Sequence, residues 1–231
     1  MVEGIRACLF DVFGTVVDWQ TGVSRALAGR ASSRRVSGVD WLSVAIDWRR
    51  LYGPAMEVVR SGRRPWVPLD VLHRENLVQV LDARGLSDFT DDDIDEMNLA
   101  WHRLDPWPDA VEGLTRLKSG YVVAPCSNGN IALIVDMAKR AGLPWDVVLG
   151  AEPTRSYKPQ PEAYLGSCRM LGLRPEQALM VAAHNADLDA ARACGLRTAF
   201  VARPTEGDDR PGAGVDLTAG DFRQLAALLG T

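Results

Sequence analysis

The chain has 231 residues, 47% of them hydrophobic and 24% charged, with a formal net charge of −4. That length suits one large domain or a domain carrying an insert, and the composition supports a full core. The acidic balance excludes a general affinity for nucleic acid or anionic membranes, no apolar run reaches the roughly 18 residues of a membrane span, and the N-terminal apolar stretch, broken by Arg6 and Asp11, is not a signal peptide.

In chain order, Ile5 to Phe10 is an apolar run that stops at Asp11 and Gly14, the pattern of a buried strand entering a loop. From Val16 to Leu104 the periodicity turns helical. Ala26 to Leu27, Trp41 to Val59, Leu69 to Leu81 and Ile94 to Trp101 are apolar at helical spacing with no strand among them, and Pro54 is expected to kink or break the second. Strands and helices then alternate. Tyr121 to Cys126, Val147 to Leu149, Ala178 to Ala182 and Thr198 to Val201 read as strands. Ile131 to Ala141, Pro161 to Leu171, Asp187 to Cys194 and Asp221 to Leu229 read as helices, with Pro161 in a first turn and Gly195 past a last one. The alternation predicts an α/β fold, a doubly wound parallel sheet, built from residues 1–15 and 105–231, with residues 16–104 inserted as a helical cap.

Two basic clusters, Arg30 to Arg35 and Arg60 to Arg64, are expected to be solvated surface. Four cysteines (Cys8, Cys126, Cys168, Cys194) lack CxxC spacing, and reduced thiols of a cytoplasmic protein account for them better than zinc ligands.

Ligands of an open parallel sheet bind beyond the carboxyl ends of its strands. Asp11 and Thr15 follow the first strand, and Ser127, Asn128 and Gly129 the second. Lys158 precedes a helix, and His184, Asn185 and Asp187 follow the strand at Ala178 to Ala182. Each alone has an ordinary explanation: a loop acid or helix cap for Asp11, a solvated lysine, a polar residue at a helix start for His184. Together they make a chemical set. A carboxylate held ionised by Lys158 is a nucleophile, and Ser127 and Asn128 can donate hydrogen bonds to a substrate carboxylate or an oxyanion.

The segments Asp-Val-Phe-Gly-Thr (11–15), Ser-Asn-Gly-Asn (127–130), Tyr-Lys-Pro (157–159) and Asp187 resemble, in order and spacing, the four motifs of the haloacid dehalogenase superfamily. Most members of it are phosphatases, and two departures set this chain apart. The phosphatase acid that protonates a leaving alcohol is replaced here by Phe13; a halide needs no such proton. A magnesium-binding aspartate of the fourth motif is replaced by Ala183, which removes a ligand the metal needs. The resemblance is therefore to the L-2-haloacid dehalogenases and implies a metal- and cofactor-independent hydrolase. It also implies that Trp48-Arg49 begins a cap helix and brings Arg49 to the departing halide, with Arg50 as the competing assignment. Tyr164 matches a site tyrosine, and Thr15 and Asp187 match residues that orient the nucleophile and the lysine. The Ser-x-Asn arrangement usual before the last aspartate is absent; Ala182-Ala183-His184-Asn185 stands there, so His184 or Asn185 must take over the asparagine's work.

The implied reaction has two steps. Asp11 attacks C2 of a short 2-haloalkanoate and expels halide toward Arg49, while Ser127, Asn128 and N–H groups near Phe13 hold the substrate carboxylate. Water then hydrolyses the aspartyl ester to a 2-hydroxyacid. A superfamily phosphatase and a non-catalytic binder of small acids are the alternatives. A small 2-haloacid is the expected partner, with no nucleic acid or membrane, and the resemblance allows a homodimer.

Overall fold

The computed structural model describes residues 4–86, 88–208 and 210–231. The first three residues of the segment 1–15 thus lie outside the described residues. Internal contacts divide the chain into two units, one of Met1–Asp18 with Pro106–Thr231, the other of Trp19–Asp105.

The unit Trp19–Asp105 is helical: α1 (Trp19–Ser33), α2 (Trp41–Arg60), α3 (Leu69–Ala83), α4 (Asp91–Asn98) and a 3-10 turn over Leu99–Arg103. Helix α2 begins at Asp40, whose carboxylate accepts the amides of Leu42 and Ser43, the side-chain satisfaction a first turn needs. Of the two outcomes expected at Pro54, a kink or a break, the break does not occur: α2 continues through it. The proline is exposed, so the Arg50 carbonyl it deprives of a donor sits on the wet side, where water can replace the lost bond. Helix α4 starts with a capping box between Thr90 and Asp93. The Asp93 carboxylate, fully buried, is neutralised by Arg30 and Arg34 at 2.7 and 2.8 Å, which gives part of the first basic cluster an internal role rather than a purely solvated one. Aromatic packing closes the interior of this unit. Trp101 stacks on both Trp19 and His73, and the buried Trp48 meets both His73 and Trp101 edge-on while its indole N–H donates to the His73 carbonyl.

The other unit holds a six-stranded, all-parallel sheet: β1 (Ala7–Phe10), β2 (Val122–Ser127), β3 (Leu149–Gly150), β4 (Ala178–Ala182), β5 (Arg197–Val201) and β6 (Leu217–Ala219), in the order β3-β2-β1-β4-β5-β6. This is an α/β, Rossmann-like sheet whose strand order reverses between β1 and β4, the point at which such sheets bind ligands. All four residues of β1 have no exposed surface, which is why its sequence is a continuous apolar run rather than an alternation. The connecting helices are α5 (Ala110–Lys118), α6 (Ile131–Ala141), the short α7 (Ala151–Thr154), α8 (Pro161–Met170), α9 (Asn185–Ala193) and α10 (Phe222–Leu228). Gly142 closes α6 at φ 71°, and Pro161 occupies the first turn of α8. The sequence pattern missed α5, α7 and β6; β6 is only three residues long and α7 only four, too short for a period to register. Cys8, Cys126 and Cys168 are buried and Cys194 half-buried, all as thiols. Among the described residues no helix is long and apolar enough to cross a membrane.

Candidate active site

The groups around Asp11 belong to the sheet-bearing unit. Asp11 follows β1, its amide still bonded to the carbonyl of Val181 at the end of β4. The chain then turns tightly. The amide of Gly14 reaches the carbonyl of Val17, the amide of Val16 reaches that of Val12, and Phe13 and Val17 form an isolated bridge. Gly14 carries φ +86°, a conformation costly for any residue with a Cβ.

Thr15 donates its hydroxyl to Asp11 Oδ2 at 2.8 Å, and the Thr15 Oγ1 itself accepts the Ala183 amide at 2.9 Å, which joins the loop after β1 to the one after β4. Lys158, brought in ahead of α8, donates from Nζ to Asp11 Oδ1 at 2.8 Å and also to Asp187. Tyr164 on α8 donates to the other oxygen of Asp187. The Asn128 side-chain oxygen accepts the Lys158 amide at 2.7 Å, so the residue after β2 fixes the lysine's backbone. Ser127, fully buried, accepts the Gly129 amide at 3.0 Å. Gly150 makes room for it: a Cβ there would lie 2.2 Å from the Ser127 carbonyl oxygen.

The electrostatics follow from this packing. Burial works to raise the Asp11 pKa, but the Lys158 ammonium and the hydrogen bond and charge of His184 overcome it and hold the carboxyl well below the usual range. Burial likewise opposes the charged form of Lys158, and its two carboxylates more than compensate, raising its pKa. Burial, with the Asp11 charge, raises Asp187 despite Lys158. Asp11 is thus the ionised member, 8% exposed, and Phe13 and Ala183 are themselves buried. A buried carboxylate screened from water and aimed by fixed donors is held ready to act as a nucleophile.

His184 lies between Asp11 Oδ2, 3.0 Å from Nδ1, and Glu206 Oε2, 2.8 Å from Nε2. Asn185, grouped with the catalytic residues on sequence, is bonded elsewhere. Its amide nitrogen donates to the Arg210 carbonyl, its oxygen accepts the Gly212 amide, and its backbone N–H meets Asp208, so it pins the segment after β5 to the start of α9.

Three participants escaped the sequence reading. Glu206 is one. Arg203 is another, buried with a bidentate bond to Asp109 and a third bond from Nε to the Thr15 carbonyl. Trp107 donates its indole N–H to the Gly14 carbonyl. Together Arg203 and Trp107 anchor the backbone of the loop after β1. Glu206 and Arg203 carry the same signal as the other site residues, a polar side chain after a strand end, here that of β5. In the helical unit, Arg49 is half-buried with its guanidinium 3.9 Å from the Tyr52 ring centre, while Arg50 is exposed and paired with Asp47.

A family model for haloacid dehalogenase-like hydrolases matches residues 5–195. The (S)-2-haloacid dehalogenase 4A of Burkholderia cepacia is 30% identical over 212 residues, covering 88% of this chain and 85% of that protein. The crystal structure of a defluorinating L-2-haloacid dehalogenase superposes with a TM-score of 0.94 at 47% identity, covering 98% of this chain and 96% of that one. A second L-2-haloacid dehalogenase structure gives a TM-score of 0.92 at 43% identity, covering 98% and 99%. Strand order, the loop after β1 and similarity along nearly the whole length agree: the chain belongs to the haloacid dehalogenase-like hydrolase family, in its L-2-haloacid dehalogenase branch.

Proposed function

We propose that this chain hydrolyses short 2-haloalkanoic acids to 2-hydroxyacids, without a metal or other cofactor, through an ester formed on Asp11, with the helical unit serving as its cap. The observation that carries the reading is the state of Asp11: buried, ionised, and hydrogen-bonded to Lys158, Thr15 and His184, with Phe13 and Ala183 at the positions where the superfamily's phosphatases carry an acid and a metal ligand. Asp11 displaces halide from C2, and water then cleaves the ester. Lys158 and Asp187, with Tyr164 behind them, keep the nucleophile charged and aimed. Ser127 and the nitrogen end of the Asn128 amide receive the substrate carboxylate. A homodimer and a cytoplasmic location, consistent with four free thiols, belong to the same proposal.

A single turnover in H₂¹⁸O tests it, with enzyme in excess over 2-chloropropionate and EDTA present. Water attacks the ester carbonyl, so ¹⁸O is expected in the peptide containing residues 11–15 and not in the hydroxyacid of that first turnover. Labelled product with unlabelled peptide would show direct attack by water on C2 and overturn the ester. Activity that vanished with EDTA, returned with Mg²⁺ and extended to simple phosphate esters would favour a phosphatase. The defluorinating relative makes fluoroacetate the substrate to run beside chloroacetate.

The halide-stabilising role goes to Arg49, because Arg50 is exposed and already paired with Asp47. Arg49→Ala is expected to slow halide release about 10²-fold, the scale of losing one charge-stabilising donor, and Arg50→Ala to stay within a few-fold. Pre-steady-state halide release checks both, and the reverse order of effects would transfer the role to Arg50.

A further inference from the structure

The hydrogen bonds to Asp11 are unevenly shared. Among the described residues, Oδ1 accepts Lys158 alone, whereas Oδ2 accepts both the Thr15 hydroxyl at 2.8 Å and His184 Nδ1 at 3.0 Å. A carboxylate oxygen offers two lone pairs, so Oδ2 is filled and Oδ1 keeps one to attack with.

His184 meets a carboxylate at each ring nitrogen, Asp11 at one and Glu206 at the other. A neutral imidazole has one N–H and one lone pair, and the lone pair would face a carboxylate and be repelled. Two carboxylates therefore select the imidazolium, which donates from both nitrogens. Glu206 is itself nearly buried, its side chain 8% exposed, and it reaches this position because residue 14 is glycine: a Cβ there would lie 2.4 Å from the Glu206 carboxyl carbon. The turn glycine of the nucleophile loop thus makes room for the partner of His184.

We infer that Oδ1 is the attacking oxygen, and that Thr15 and a His184 imidazolium fixed by Glu206 form a two-donor oxyanion cradle at Oδ2 for hydrolysis of the Asp11 ester. This inference rests on the aspartyl-ester reading and adds a role for Glu206. After alkylation at Oδ1, Oδ2 is the ester carbonyl oxygen. The water oxygen bonds to the Asp11 carboxyl carbon while the carbonyl π pair moves onto Oδ2, where both donors already stand at hydrogen-bond distance. The pair then returns, the bond from the carboxyl carbon to Oδ1 breaks, and Oδ1 leaves as the hydroxyl of the 2-hydroxyacid, taking a proton from Lys158. One proton of the water restores Lys158 and the other passes to solvent as the carboxylate re-forms.

Glu206 is a positioning residue, acting through His184. The charged groups around the ring are Asp11 from the end of β1 and Glu206 from the segment after β5. Lys158 and Asp187 lie beyond Asp11, and Asp208 is bonded to the next amide in the chain. Burial disfavours the charged ring, but Asp11 and Glu206 outweigh it and push the His184 pKa up to about 10. Esterification removes the Asp11 charge, and Glu206 then keeps the ring protonated. The sign of the pH dependence separates two chemistries. A donor must be protonated, so ester hydrolysis falls as pH rises through the His184 pKa; a general base must be neutral, so hydrolysis would rise.

Rapid-quench kinetics on wild type, Glu206→Gln, His184→Gln and His184→Leu with 2-chloropropionate test this, following halide, hydroxyacid and the mass of the peptide containing residues 11–15. Thermal melts by circular dichroism select the folded variants. His184→Leu is expected to release about one halide per site, then accumulate ester, with hydrolysis slowed about 10²- to 10³-fold. His184→Gln, which keeps a donor, should recover part of that rate. In Glu206→Gln the alkaline fall in ester hydrolysis should move about 1–2 pH units lower, the shift expected from losing a nearby opposite charge. Hydrolysis that rises through that limb, or halide release and hydrolysis slowed equally with no ester accumulating, would overturn the cradle. Wild-type enzyme that releases halide under these conditions with no Asp11 ester, even when quenched at early times, would instead defeat the ester reading itself. That failure is visible without any variant.

Discussion

Asp11→Asn is expected to abolish halide release, on the order of 10⁶-fold, the scale seen when an enzyme loses its nucleophile outright. The amide is nearly isosteric, so the substitution asks a question about chemistry rather than shape. It leaves an oxygen to accept from Thr15 or Lys158 but cannot accept from Lys158, Thr15 and His184 as the carboxylate does, because its nitrogen would face a donor. The neutral group also has no charge with which to displace halide. The fold should persist, since Lys158 retains its bond to Asp187 and the β1 backbone is anchored in the sheet. Halide release over several hours, with the mass of the peptide containing residues 11–15 to exclude deamidation, decides the matter. Substantial turnover by a folded, undeamidated variant would remove Asp11 from the mechanism.

Lys158→Met is expected to cost both activity and stability. It removes the cation that bridges Asp11, which is buried, and Asp187, whose side chain is 10% exposed, and leaves like charges in a site with little water. Removing one partner of a buried ion pair costs about 3–5 kcal/mol, and loss of the charge that holds Asp11 ionised and aimed should lower halide release at least about 10³-fold. The dependence on pH has a definite sign. The folded pKa of Asp11 is depressed, so its contribution to wild-type stability is present above the unfolded carboxylate value of about 3.9 and is lost as pH falls further. Asp187, with a raised folded pKa, contributes in the opposite sense: its ionised form weakens the fold as pH rises through that value. In the variant neither carboxylate has the ammonium, so the deficit relative to wild type should be large at neutral pH and shrink toward acid. Adding Asp187→Asn to Lys158→Met should return part of the stability and none of the activity. Urea unfolding across pH measures the first effect and halide release the second. A single variant as stable as wild type at neutral pH would mean that the three groups are not a coupled network.

Much of the architecture was legible because its signals are local. A strand buried on both faces has to be a continuous apolar run, and Ala7–Phe10 and Ala178–Ala182 are such runs. Their order with the intervening helices then admits a parallel sheet. Asp11, Lys158 and Asp187 could be grouped without coordinates, since Asp11 and Asp187 follow predicted strands and Lys158 lies in a loop just before a predicted helix. Elements whose existence depends on partners were not legible: β6 has three residues and exists by pairing with β5, and α2 runs through Pro54 because the affected carbonyl faces water, which no property of the residue itself announces.

What the sequence determined by itself was therefore the class of chemistry, carried by residue identity: a strand-end aspartate, a lysine, and phenylalanine and alanine where a phosphatase needs carboxylates. What only the tertiary structure decided was which polar groups share a partner. Asn185 and His184 are adjacent in sequence, yet the first ties down the segment after β5 while the second bonds Asp11. Glu206 joins the site from a distant loop through the space left by the missing Cβ of Gly14. Chemical capacity belongs to the side chain and can be read one residue at a time; a hydrogen bond requires two groups within about 3 Å, and only folding brings together groups that the chain holds far apart.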